Sequence, residues 1–286
     1  MKTPSHHIIL NALLALLFTG SLNGQTTSNR FSNSSYDSLK AIVRTLGDSL
    51  AGSDYVDLTD KTDTTAISFA LKLLELLQYP QSWKYDFKEL LNFEGIIESP
   101  DRRFRFISFS FETHGTAGSI PYSFIQYRMT GGGLGAFYTD LKASKIYTLR
   151  ANGRSLYLLT YQQKGNTSYG LYGAEMLEMR DNYMFDAEQT FPNDSSSIGL
   201  MVSYADILSY DTITQTLVLN LNDCYGLSGS LPYECFKDLN DPKKTNEDKR
   251  SAFLYYDESL LFSLHFNGHR FVQIRSKAVK KDEDTK

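Results

Sequence analysis

Four short constellations contain side chains that could do chemistry. His265 and His269 form an H-x3-H string, a spacing that on a helix turns two imidazoles toward one metal. Here the string crosses Asn267-Gly268, a turn dipeptide between two apolar runs. A tight hairpin there sends the two imidazoles to opposite faces, so they read as surface or rim histidines and no metal site is expected. Glu112 and His114 lie two residues apart in Glu112-Thr113-His114-Gly115-Thr116, where a carboxylate and an imidazole could move a proton. No nucleophile is placed beside them, so the pair is carried as a site candidate against the plain reading of a polar turn. Gly131-Gly132-Gly133-Leu134-Gly135 would cradle phosphate if a helix N-terminus followed, or a Lys and Ser/Thr at fixed offsets. Neither condition is met, and a connector between strands is expected instead of a cofactor site. Cys224 and Cys235 complete the set.

The nucleophile elbow G-x-S-x-G, the zinc string H-E-x-x-H and the calcium-loop spacing do not occur. Acidic residues are plentiful, so folding could bring two carboxylates together as in glycosidases, but the sequence singles out no such pair. Tyr and Phe number 19 and 18 against one Trp. They suit a sugar-binding surface, and equally suit ordinary strands.

The N-terminus speaks about compartment. Lys2 precedes an apolar run from Ile8 to Phe18, and Thr19-Gly20-Ser21 follow. That order predicts a signal peptide over 1–24, cut after Gly24, because the run is too short to span a bilayer. Leu22-Asn23-Gly24-Gln25 comes close to a lipoprotein box but ends in Gln, which has no thiol to acylate. The expected product is therefore exported, periplasmic or secreted, without a lipid anchor or transmembrane segment. An oxidising compartment predicts a Cys224–Cys235 disulfide. So short a loop would add about 3 kcal/mol by the chain-entropy argument. The net charge of −4 gives no electrostatic support for a nucleic-acid partner.

Behind a polar linker over 25–35, Leu39, Ile42, Val43, Leu46 and Leu50 recur at helical spacing, with Ser35 or Ser38 available as cap. A second helix is expected from Thr64 to Gln78, its stripe Ile67, Leu71, Leu74 and Gln78, ended by Pro80. A short third helix is expected over 81–91. From Arg103 the pattern turns to strands: Phe104, Phe106, Ile107, Phe109 and Phe111 suggest one with a bulge. Further runs lie near 121–129, 144–150, 155–163, 168–179, 198–204, 216–222, 253–256, 260–266 and 269–275. Asn152-Gly153 and Asn267-Gly268 suit type I′ turns. They predict Leu149 opposite Leu156 and Tyr147 opposite Leu158, then Leu264 opposite Phe271, Phe266 opposite His269 and His265 opposite Arg270. Residues 277–286, nearly all charged, read as a frayed tail.

Ser99-Pro100-Asp101-Arg102-Arg103-Phe104-Arg105-Phe106, Ser110-Phe111-Glu112-Thr113 and Phe124-Ile125-Gln126-Tyr127-Arg128 resemble a group of exported Gram-negative proteins with the pattern "SPDGKFRIYSWDT…GGT…IQY". The likeness covers residues 95–130, with Phe111-Glu112 standing where the pattern has Trp-Asp. It implies an exported, β-rich domain and carries no activity. Asp-Ser/Thr-apolar triplets such as Asp211-Thr212-Ile213 resemble the O-glycosylation acceptors of such bacteria.

Together these features predict an α+β protein: a helical segment over 36–95, then an antiparallel, hairpin-rich β domain over 96–276. The functional expectation is a non-catalytic exported protein that binds an envelope protein or a glycan. The competing expectation is a secreted hydrolase, acting on glycans, whose acidic residues the fold assembles.

Overall fold

A computed structural model describes residues 33–51, 63–90, 92–112, 119–139, 141–164, 169–180, 182–192, 196–203, 208–221 and 259–279. The signal-peptide reading, the Cys224–Cys235 bridge, His114, the 253–256 run and most of the charged tail lie outside those residues. The fold is α+β: two helices precede three antiparallel sheets. None of the described helices is long and apolar enough to cross a membrane.

The helices are α1 (Asn33–Ala51) and α2 (Thr64–Leu77). On α1 the inward stripe is Tyr36, Leu39, Val43 and Leu50, whereas Ile42 is exposed. Ser38 does not cap this helix; its hydroxyl donates back to the Ser34 carbonyl. On α2 the Asp63 carboxylate caps the first turn by accepting from the Ala66 N–H at 2.9 Å. Its buried face is Ala66, Phe69, Leu73, Leu74, Leu76 and Leu77, rotated from the predicted stripe, of which only Leu74 is buried. Phe69 decides that rotation, because its ring stands edge-on to Phe109, Phe111 and Phe124 and burying an aromatic outweighs burying Ile67 or Leu71. Past α2 the predicted third helix is reduced to a single 3-10 turn, Pro80–Lys84.

The first sheet has strand order β1 (Phe93–Glu98), β2 (Phe104–Glu112), β3 (Ser119–Arg128) and β4 (Leu134–Thr139). β2 and β3 pair without interruption from Phe104↔Tyr127 to Glu112↔Ser119, so the expected bulge is absent. The broken alternation has another cause: Phe104 through Phe109 are all buried, on both faces of the strand, and a strand buried on both sides loses its polar alternation. The glycine run turns β3 into β4, closed by Met129 N–H to the Gly133 carbonyl at 2.9 Å, with Gly132 at φ +90°. β4 was not foreseen in the sequence.

The second sheet runs β5 (Ala143–Arg150), β6 (Ser155–Lys164), β7 (Tyr169–Arg180) and β8 (Tyr183–Asp186), with β9 (Ser197–Ser203) also on β7. Its first hairpin has the predicted register, Leu149↔Leu156 and Tyr147↔Leu158. The third sheet is β10 (Leu208–Asp211), β11 (Thr216–Leu221), β12 (Ser259–Phe266) and β13 (Phe271–Val279). Here Phe266 pairs with Phe271, His265 with Val272 and Leu264 with Gln273, two residues from expectation. The Asn267 carboxamide explains the difference: its Oδ1 accepts from the His269 and Arg270 N–H groups, both at 3.0 Å, making a four-residue loop. A shift of two leaves every side chain on its original face, so hydrophobic patterning could not detect it. In both hairpins only the glycine has positive φ, so neither turn is type I′.

By contacts the chain forms two compact units. One joins both helices to most of the first sheet around a core of α1, α2, Ile107, Phe109, Phe111, Phe124 and Tyr138. The other holds Ile97–Arg103 and every described residue from Lys142 onward. Its core is shared by sheet two (Leu149, Leu156, Leu158, Ala174, Met176) and sheet three (Tyr210, Leu217, Leu264, Phe266, Phe271).

Candidate functional site

The residues singled out in the sequence do not come together. Glu112 ends β2 opposite Ser119, and its companion His114 lies outside the described residues, as do Cys224 and Cys235. The His265 Nδ1 lies 2.9 Å from the Thr214 carbonyl, whereas the His269 Nε2 lies 3.3 Å from the Asn152 amide nitrogen. Each imidazole thus serves a different loop. Among the described residues no three His, Cys, Asp or Glu side chains gather as a metal site would require. Asp211-Thr212-Ile213 opens the exposed β10–β11 turn, where the Asp211 carboxylate accepts from the Ile213 and Thr214 N–H groups.

Two polar assemblies that the sequence did not announce are the remaining candidates. In the first unit, Arg105 is 3% exposed. Its Nε donates to Gln126 Oε1 at 2.7 Å and its Nη2 to the Ser82 carbonyl at 2.6 Å. The guanidinium also lies over Trp83 at 5.1 Å and Phe87 at 5.6 Å from the ring centres, contacts that help offset desolvation of a buried cation. Gln126, directly across from Arg105 in the β2–β3 ladder, donates its amide to the Leu77 carbonyl at the end of α2 and to Ser82 Oγ. Phe87 holds φ +59°, a costly conformation for a bulky residue, and in it supplies one of the rings beneath the guanidinium. These bonds fasten helix end, 3-10 turn and sheet together.

The second assembly opens outward. A cleft of about 260 Å³ in the second unit is lined by Ser144, Lys145, Tyr147, Thr160, Tyr161, Gln162, Tyr172, Leu208, Ser209 and Tyr210. β5, β6 and, through Tyr172, β7 supply one wall and β10 the other. Ala143 pairs with Tyr161 and Lys145 with Thr160, which leaves Ser144 as the extra residue of a bulge. The bulge puts two successive residues, Ser144 and Lys145, on the cleft side, where a regular strand would point one of them away. Thr160, Tyr161, Tyr172 and Tyr210 are buried, while Ser144, Lys145, Gln162 and Ser209 are exposed.

Internal bonds pin part of this lining. The Gln162 amide donates to the Tyr172 hydroxyl at 2.9 Å, across the β6–β7 ladder. The Tyr147 and Tyr210 rings meet at 4.9 Å and 57°. The Tyr210 hydroxyl is buried with no hydrogen-bond partner among the described residues. Burial, then the nearby Asp211 charge, pushes the Tyr210 phenol well above its ordinary range, and burial alone raises Tyr147. Both phenols therefore stay protonated at neutral pH and present O–H donors.

Among the described residues the cleft lining combines tyrosine rings, neutral donor–acceptor groups and one cation, Lys145, a set suited to holding a polar organic ligand in place. Sequence reasoning missed it because its residues come from four strands, β5, β6, β7 and β10, and from a bulge in β5; the only signal was the abundance of tyrosine. Compared with known proteins, the chain matches no family model and no curated protein.

Proposed function

We propose that this protein is exported and works by binding, without chemistry, at the cell envelope. The observation that carries the reading is the tyrosine-lined cleft of the second unit, whose lining supplies contact area and hydrogen bonds. The leader-like N-terminus, with Lys2, the apolar run to Phe18 and the small residues after it, supports export. The internally bonded Arg105–Gln126 assembly serves the scaffold, leaving the cleft as the place for recognition.

The test uses the full chain expressed in a Gram-negative host. Intact mass should show loss of residues up to Gly24, and the mature protein should be retained on isolated envelope material. Incubation with glycan and peptide libraries should release no product. An uncut N-terminus, no retention, or turnover of any library member overturns the reading; turnover would point to the hydrolase instead.

A further inference from the structure

We infer that the cleft takes one ring of a sugar, a pyranose whose apolar face lies against Tyr147 and Tyr210 and whose hydroxyls meet Ser144, Thr160, Gln162 and Ser209. This rests on the binding role proposed above and gives it a ligand class.

Size restricts the ligand first. Clefts that hold drug-sized molecules span roughly 300–1,000 Å³, and this one, at about 260 Å³, suits a single ring. Lining chemistry restricts it further. Hydroxyls and a carboxamide both donate and accept, which matches a sugar hydroxyl, itself donor and acceptor. Aromatic faces match the C–H-rich side of a pyranose, where a flat anion would gain nothing. Among the described residues the cleft lining has no carboxylate and one cation, Lys145, too little charge to define a phosphate site. Lys145 is exposed and keeps its ammonium in water, so it serves as a rim donor.

Two further observations single out this place. Tyr210 is 9% exposed and its hydroxyl lacks a partner among the described residues. A buried phenol without a partner carries a cost that a ligand hydroxyl would remove. The bulge at Ser144 adds a second polar side chain to the same rim, an irregularity of the kind that re-aims side chains beside sites.

The test titrates the mature protein by saturation-transfer NMR and calorimetry with glucose, galactose, mannose, N-acetylglucosamine and galacturonate, with inorganic phosphate as anionic probe. Saturable binding of at least one neutral sugar is expected. Tyr147→Ala should weaken it about tenfold, one stacked ring's worth, and Tyr210→Phe roughly fivefold through the lost hydroxyl. Ser209→Tyr, at an exposed rim position, should block the cleft without touching the core and guards against misfolding of the other variants. The inference is overturned if no neutral sugar binds, if only galacturonate or phosphate binds, or if binding survives Ser209→Tyr in a folded protein. Retention on envelope material without sugar binding overturns the ligand class alone. Sugar binding without retention upholds the site and removes the envelope role.

Discussion

Tyr161 on β6 lies across Gly173 on β7, its directly paired neighbour. A Cβ on Gly173 would come within 2.2 Å of the Tyr161 ring and 2.5 Å of the Ile198 carbonyl oxygen. The same pairing recurs in the first sheet, where Tyr127 covers Gly135. An aromatic over a glycine fills the gap left by the missing side chain and protects the ladder.

These two pairs yield a graded prediction. Gly173→Ala meets backbone as well as ring and should cost about 2 kcal/mol or more, as overpacking does. For Gly135→Ala the three nearest atoms all belong to the Tyr127 side chain, which can swing aside, so this variant should cost less. Urea denaturation of both variants checks the order; equal losses would disprove it.

Arg102 carries φ +55° in the turn Ser99–Arg103, where Ser99 Oγ accepts from the Arg103 N–H and donates to Asp101. Gly adopts such a φ freely, whereas a side chain there is strained. Arg102→Gly should therefore stabilise the protein by about 1 kcal/mol. Thermal unfolding reads the change, and a lower melting temperature would count against the turn geometry.

Glu178 is clasped by Arg154 through two bonds, 3.0 and 2.7 Å, with Arg180 3.6 Å away. The Arg154 hydrogen bonds hold its carboxyl below the ordinary value of 4.5. A lowered folded-state value means the stabilisation is complete above about pH 4.5 and lost as pH falls through the lowered value. Glu178→Gln should cost about 1–3 kcal/mol at pH 7, and the gap to wild type should close below pH 4. A gap independent of pH would show that the charge is not what matters.

Alkali acts in the opposite sense. Burial, then a hydrogen bond to Asp101 at 2.7 Å, raises the Tyr157 phenol above its ordinary 10.0, and burial likewise raises Tyr85 and Tyr210. A raised folded-state value contributes stability that is whole below pH 10 and lost as pH climbs above it. Tyrosinate absorbance should rise in two stages, exposed rings first, then a cooperative step as the chain unfolds. Tyr157→Phe should move that step to higher pH, and an unmoved step would sink the assignment.

Local signals were legible in the sequence, and assembled ones were not. The Leu149↔Leu156 register depends on neighbours a few residues away, and patterning read it, whereas the Asp63 cap went unread. The short strands β1, β8 and β10 carry too few residues to show a period, and β10 forms one wall of the cleft. The Asn267 loop hid behind a two-residue shift that preserves faces. Tyr147 and Tyr210 are 63 positions apart in the chain, and only the packing of two sheets makes them neighbours.

The Arg105–Gln126 pair has a consequence for how the first sheet assembles. A hairpin that zipped up one residue out of step would strand a guanidinium in hydrocarbon and leave the final carbonyls of α2 unanswered. The cluster thus works as a combination lock, with strand register, helix end and 3-10 turn as its tumblers, and near-miss arrangements are penalised before the remaining sheets are added.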